Sequence, residues 1–476
     1  MTEFPKTINE ARKRLIKKQF SCLELANFYL DKIKKENNKL NDFLNLTENL
    51  ALEQAKKVDD KIAEGEKIGQ LEGIPVAIKD NILIEGYKTT AGSKILENYT
   101  APYDAAVIEK LKKAGAIIVG KTNLDEFAMG ASTENSAFGP TKNPVDVSRV
   151  PGGSSGGSAV AVAAGHCLAA LGSDTGGSIR QPASFCGVIG FKPSYGMVSR
   201  YGLIAMASSL DQIGPLTKTV EDAKLIFGAI RGQDKMDPTT VDSAKYQPRN
   251  TNVKNLRIGI PREYFEEGID KKVKEKIEKA IKNFEKIGAK IEEINLPHTK
   301  YALAVYYIIV PAEVSANLAR YDGIKYGYSA SSERLLDNYL KTRAKGFGYE
   351  ARRRIILGTY ALSSGYYEAY YGKAQKVRAI IKKEFEEIFK KVDILLTPTA
   401  PTAAFKIGEK KDPLSMYLSD IYTVPASLAG LPAISMPCDT IDNLPIGLQI
   451  IGPQFQDDLL LEVAGEYEHI SNSRHI

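Results

Sequence analysis

Histidine and cysteine are scarce in this sequence, and their scarcity excludes much chemistry. The 476 residues hold four of each. Cys22, Cys167, Cys186 and Cys438 lie far apart with no CxxC pair. That spacing argues against a disulfide framework or a zinc site and fits a reducing cytosol. His166 sits in an apolar helical stretch, His298 follows Pro297, and His469 and His475 lie in the C-terminal tail. All four read as structural or surface positions, so a Ser-His-Asp triad has little support. Long apolar runs are missing as well. The most apolar stretch, Ala159 to Leu171, is too short for a membrane span and is interrupted by Gly165 and His166. The opening MTEFPKTINEARKRLIKK has no apolar signal core and reads as a polar helix, so a cytoplasmic protein is expected. Nor does one sign of charge dominate: 64 basic residues meet 58 acidic ones, for a net charge of +6. That balance permits an acidic partner such as RNA but does not by itself suggest a direct grip on nucleic acid.

What is present suits a large soluble core, with 43% hydrophobic and 26% charged residues. The first 65 residues read as helices, and Ser21 to Glu24 has the form of a capping box. GIPVAI (Gly73 to Ile78) is a short β-like run ending at Lys79. Asp104 to Ala114 is helical by period, and AIIVG (Ala116 to Gly120) reads as a buried strand. SAVAVAAGHC then reads as a buried helix and LAALG (Leu168 to Gly172) as a central strand. Thr219 opens another capped helix. Residues 231–256 are polar and apolar-poor, a surface connection between two halves. The second half resumes with RIGIP (Arg257 to Pro261), a charged helix over 270–286 and the strand AKIEEI. VDILLTP (Val392 to Pro398), PAISMP (Pro432 to Pro437) and IGLQIIG (Ile446 to Gly452) follow as strands. Alternating helix and strand imply an α/β fold.

Eight of the 39 glycines fall within the 27 positions from 152 to 178. Glycine lets backbone amides turn toward one point, and serines placed among such amides have an oxyanion hole at hand. The base that would activate them is Lys79, at the end of an apolar strand. Burial there favours the neutral amine that can accept a proton. A shift from about 10.4 to near 7 corresponds to roughly 4 to 5 kcal/mol of environmental bias. A pairing of Lys79 with Asp80 on a surface turn is the plainer alternative. Gly115 to Thr122 fits the phosphate-loop pattern G-x4-G-K-T letter for letter, but AIIV is itself the strand, so its amides belong to a sheet ladder.

Gly152-Gly153-Ser154-Ser155-Gly156-Gly157-Ser158 and Asp174-Thr175-Gly176-Gly177-Ser178-Ile179-Arg180-Gln181-Pro182, in that order and spacing after Lys79, resemble the signature of the amidase-signature enzymes. The resemblance covers essentially the whole chain. It implies a single large domain over 1–476 with a central mixed β-sheet covered by helices on both faces. Within it, 1–65 would be an N-terminal helical region, 66–230 the catalytic core and 257–476 the half that binds substrate. The resemblance also implies a triad of Ser178 as nucleophile, Ser154 in a cis peptide as relay and Lys79 as base. Ser155 would support Lys79, and the amides of Thr175, Gly176, Gly177 and Ser178 would form the oxyanion hole. Asp174 and Arg180 are read as scaffold for that loop.

Lys121 to Pro144, Asn317 to Gly327, Arg353 to Tyr367 and Ser419 to Pro437 resemble the branch of the family that serves as glutaminase subunits of tRNA-dependent amidotransferases. That branch implies glutamine as substrate. Arg354 would clamp its α-carboxylate, Asp420 would hold its α-ammonium, and Tyr306 (or Tyr307) would lie nearby. It implies no cofactor or metal in this chain, with ATP and Mg2+ on a partner B subunit. The same partner would hold most of the misacylated Glu-tRNA(Gln), and a small C subunit would complete a heterotrimer. On residues alone, Arg354 reads instead as part of a solvated helix face, since it sits in ARRRI with two other arginines. The alternative function is a stand-alone amidase acting on another small amide.

Overall fold

Eleven strands among the described residues join in one sheet. The structure is a computed structural model and describes residues 4–246, 255–266, 268–286 and 288–472. In chain order the strands are β1 (Phe43–Leu46), β2 (Pro75–Lys79), β3 (Ile117–Thr122), β4 (Ala169–Asp174), β5 (Ile189–Lys192) and β6 (Gln212–Thr217). The second half adds β7 (Arg257–Pro261), β8 (Lys290–Ile294), β9 (Ile394–Pro398), β10 (Ala433–Ile441) and β11 (Leu444–Ile451). Across the sheet they run β1-β3-β2-β4-β6-β5-β10-β11-β9-β7-β8. Strands β3, β2 and β4 are mutually parallel, as are β8, β7 and β9, while the middle pairs antiparallel. The sheet is therefore mixed, as expected.

Strand alternation shows why helices cover both faces. Ile394 and Leu396 of β9 enter one apolar core, while Leu395 between them enters the other. The first core collects the amino-terminal helices and the helices Val220–Ile230, Lys271–Lys286 and Asp457–Asn472. The second collects Ala302–Asn317, Tyr349–Leu362 and Lys373–Ile388. The capping box at Ser21 is present, its hydroxyl accepting from the Glu24 amide while the Glu24 carboxylate takes the Ser21 amide.

Some elements differ from the expectation. Residues 43–46 are not helical but form edge strand β1, antiparallel to β3. The buried helix after the first glycine loop stops at Ala163, where Gly165 takes φ +70°, so His166 lies beyond it. Of the 231–256 connection, 247–254 lie outside the described residues. His475 does too. The run Thr299–Arg320 is longer than Ala159 to Leu171, and it is long and apolar enough to cross a membrane. Here it packs into the second core instead. Its neighbour Tyr349–Leu362 comes close at Gly358, where any Cβ would collide with the Pro311 carbonyl.

Candidate active site

The site forms where β2 and β4 end side by side, at the carboxyl edge of the parallel strands. Strand β2 delivers Lys79 into the interior, fully buried. Its Nζ is 2.8 Å from Ser154 Oγ, 2.8 Å from Ser155 Oγ and 2.9 Å from Ser173 Oγ. Burial pushes the ammonium down to about 7, against the opposing pull of the carboxylates of Asp125, Asp174 and Asp211. Lys79 does not pair with Asp80; that carboxylate faces Lys121 at 3.1 Å. Lys121 Nζ also donates to the Ile82 carbonyl and Thr89 Oγ1. The phosphate-loop look-alike is thus β3, with its lysine held in an interior ion pair.

The hydroxyl protons around Lys79 can be followed. Ser155 donates to the Ser173 carbonyl at 3.0 Å, and Ser173 Oγ accepts from Asn81 Nδ2 at 3.0 Å. Ser154 Oγ has no partner besides Lys79 among the described residues, so its proton is free to move. The Gly153–Ser154 peptide is cis. The Ser155 amide donates to the Ser178 carbonyl at 3.1 Å, which joins the first glycine loop to the second. Ser178 is 7% exposed.

Arg180 braces the second loop. Its guanidinium grips Asp174 through Nε and Nη2, both at 3.0 Å, and reaches the Thr423 carbonyl, Gln449 Oε1 and Ser427 Oγ. Burial raises the Asp174 pKa, but the charge and hydrogen bonds of Arg180 outweigh it and hold this carboxyl below its usual range. Asp174 Oδ1 in turn takes the Gly177 amide at 2.8 Å. Gly177 sits at φ +148°, a conformation that favours glycine. Of the four amides expected to face an oxyanion, that of Gly177 is therefore held by Asp174. Those of Thr175, Gly176 and Ser178 have no acceptor among the described residues.

The second half of the chain walls the site. A Cβ placed on Gly176 would fall 2.7 Å from the Tyr306 ring, and one on Gly177 would fall 3.0 Å from Asp420 Oδ1. Asp420 Oδ1 is buried with no hydrogen-bond partner. Burial, then the charge of Asp174, raises the Asp420 pKa well above the usual carboxylate range, against the pull of Arg180, Lys410 and Arg354. Arg354 is buried, not solvated. Its Nε donates to Glu350 Oε1 at 2.8 Å, and its guanidinium lies over the rings of Tyr307 and Tyr417 at 5.2 and 5.7 Å. It lines a cavity of ≈ 170 Å³ with Tyr307, Tyr417, Asn135 and Lys410. The two adjacent tyrosines thus do different things: Tyr306 abuts the serine loop, and Tyr307 lies under the arginine.

A buried lysine, hydroxyls on its amine and a braced loop of free amides thus lie together at the strand ends. The family model described as Amidase matches residues 24–461. The chain belongs to the amidase family. A Carboxydothermus hydrogenoformans protein, named as the A subunit of glutamyl-tRNA(Gln) amidotransferase, is 57% identical over 465 residues, 96% of each chain. The crystal structure of a Thermotoga maritima protein of the same name is similar with a TM-score of 0.78 at 47% identity, covering 98% of this chain and 95% of that one. A bacterial aryl acylamidase of the amidase-signature family reaches a TM-score of 0.84 at 26% identity, covering 98% of this chain and 96% of that one.

Several residues of this amidase site carry no motif that sequence reading could have used. Ser173 and Asn81 complete the surroundings of Lys79. Thr423 Oγ1 donates to the Gly176 carbonyl at 2.6 Å. Gln181 accepts the Gly153 amide at 2.9 Å, and Asp125 accepts that of Thr133 at 2.8 Å. Gln181 and Thr423 lie within segments already singled out, but neither neighbours a glycine in sequence, and nothing local marked its role. Among the described residues no group of three or more His, Cys, Asp or Glu side chains is arranged to hold a metal ion.

Proposed function

We propose that this amidase is the glutaminase component of a tRNA-dependent amidotransferase, hydrolysing glutamine with Ser178, Ser154 and Lys79. The observation that carries the chemistry is the buried Lys79 amine, 2.8 Å from a Ser154 hydroxyl with no competing partner. Ser178 Oγ attacks the side-chain carboxamide carbon, and its proton passes through Ser154 to neutral Lys79. The oxyanion forms against the amides of Thr175, Gly176 and Ser178. The same proton returns to nitrogen, the C–N bond breaks and ammonia leaves. Water then cleaves the γ-glutamyl ester by the same relay, releasing glutamate.

Glutamine is the substrate because the walls suit an amino-acid backbone. Arg354 keeps two terminal nitrogens for the α-carboxylate, and the unpartnered Asp420 Oδ1 accepts from the α-ammonium. The incoming cation offsets the burial of Asp420. Tyr306 closes the space between Gly176 and these two charges. Ammonia passes to the partner B subunit, which activates Glu-tRNA(Gln) with ATP and Mg2+, and the small C subunit completes the heterotrimer. The names of the full-length relatives support this assignment.

In a complex co-purified with both partners, Ser178→Ala should abolish glutamine-dependent transamidation and spare the ammonium-dependent reaction. Loss of both in a folded complex would refute the division of labour. A stand-alone amidase would instead turn over unrelated amides without partners.

A further inference from the structure

At the second glycine loop, Thr175 has a buried partner that the proposed triad does not use. Thr175 Oγ1 donates to Asp211 Oδ1 at 2.7 Å, and both side chains are buried. The other oxygen, Asp211 Oδ2, accepts the amides of Met206 and Ala207 at 2.9 and 3.0 Å. One carboxylate therefore joins the first residue of the amide cluster to the loop 206–211.

That loop is anchored to the helices that wall the substrate side. Ser209 donates from its amide to Glu313 Oε2 at 3.0 Å and from its hydroxyl to Glu313 Oε1. Arg378 binds the Ser209 hydroxyl and carbonyl, both at 2.9 Å, and the Leu428 carbonyl at 2.9 Å. Asn317 Nδ2 donates to the Met206 carbonyl at 3.1 Å. Glu313 and Asn317 belong to the helix Ala302–Asn317, which also carries Tyr306.

We infer that Asp211 is a positioning residue: through the Thr175 hydroxyl it fixes the direction of the Thr175 and Gly176 amides relative to the helix that bears Tyr306. The geometry leaves few other uses for it. Asp211 lies immediately before β6, forms no ion pair with an arginine or lysine among the described residues, and commits both oxygens to this link. A loop of glycines has little stiffness of its own, and the aim of oxyanion donors governs their value in the transition state. The ground state uses them less, so the link should act on kcat rather than on KM.

This inference rests on the proposed glutaminase reaction, and the experiment separates the two. Glutamine hydrolysis is measured in the complex with the partner subunits for Thr175→Val, Thr175→Ser, Asp211→Asn, the Thr175→Val/Asp211→Asn double variant and Ser178→Ala. Thr175→Val, which removes only the hydroxyl, should lower kcat about 10- to 100-fold with KM within about twofold. Thr175→Ser, which keeps it, should stay within about threefold. The double variant should be no slower than Asp211→Asn alone, because the two changes cut the same link. Wild-type kcat in Thr175→Val, an equal loss in Thr175→Ser, or multiplying losses in the double variant would overturn the inference. If Asp211→Asn does not fold, the valine and serine pair still decides. An active Ser178→Ala would instead bring down the underlying reaction.

Discussion

Lys79 is a buried amine whose own environment keeps it able to accept a proton. With its pKa pushed down to about 7, the neutral form dominates only above neutrality. As a general base it must be unprotonated, so kcat/KM for glutamine hydrolysis should rise with pH through about 7 and level off above. A profile flat from pH 6 to 9 would remove Lys79 from the role. Arg354 supplies a separate test. Its loss removes charge-assisted hydrogen bonds that ground and transition states share, so Arg354→Ala should raise KM for glutamine about 10- to 100-fold with a smaller change in kcat. An unchanged KM would take Arg354 out of the pocket. In the sequence, Lys79 stood out as the end of an apolar strand in a chain with few histidines, whereas Ser154 and Ser178 were singled out through the family resemblance of their glycine-rich segments. Ser173, Asn81 and Asp211 were not, since single small polar residues reveal their role only when folding brings distant strand ends together.

Elements were legible where hydrophobic period and length agreed. Strands β2, β3 and β4 are apolar runs beside glycine or lysine ends, and each lies where it was expected. Strand β6 was not, because QIGPLT carries a glycine and a proline that normally argue against a central strand. It is nevertheless paired on both sides, by β4 and β5, so tertiary context overrides local preference. Strand β1 is four residues at an edge, too short to show alternation. A tie near β1 has a pH consequence. His166 is buried between Asp42 at 2.8 Å and Glu36 at 3.1 Å, and so connects the helix Cys22–Leu40 to the end of the glycine-loop helix. Burial alone would lower its pKa, but the hydrogen bonds and charges of Asp42 and Glu36 raise it overall. A folded pKa above the unfolded value of about 6.5 gives stability that is full below about 6.5 and is lost as pH rises through the folded value. The melting temperature of wild type should thus exceed that of His166→Gln most at pH 6, and the gap should narrow by about 2 °C toward pH 9. A gap that widens with pH would exclude a charged His166.

At the scale of the molecule the site lies on a seam. The first half brings Lys79 and the serines, and the second brings Tyr306, Arg354 and Asp420. Neither half contains a complete set. Arg180 is the side chain that crosses the seam most thoroughly, from Asp174 in the first half to Thr423, Ser427 and Gln449 in the second. Arg180→Ala leaves the buried Asp174 carboxylate without its counter-ion, which should destabilise the protein by about 3 to 5 kcal/mol. Arg180→Lys keeps the charge but replaces a planar fork of five donors by one ammonium, which cannot serve Asp174 bidentately and still reach Gln449 and Ser427. The lysine variant should therefore recover only part of the stability. It should also lose glutaminase activity, because Asp174 would hold the Gly177 amide less firmly. Denaturant midpoints at constant slope, read beside glutamine hydrolysis, test both statements. A lysine variant with the wild-type midpoint and rate would mean that contacts other than Arg180 hold the two halves, and the serine loop between them, in register.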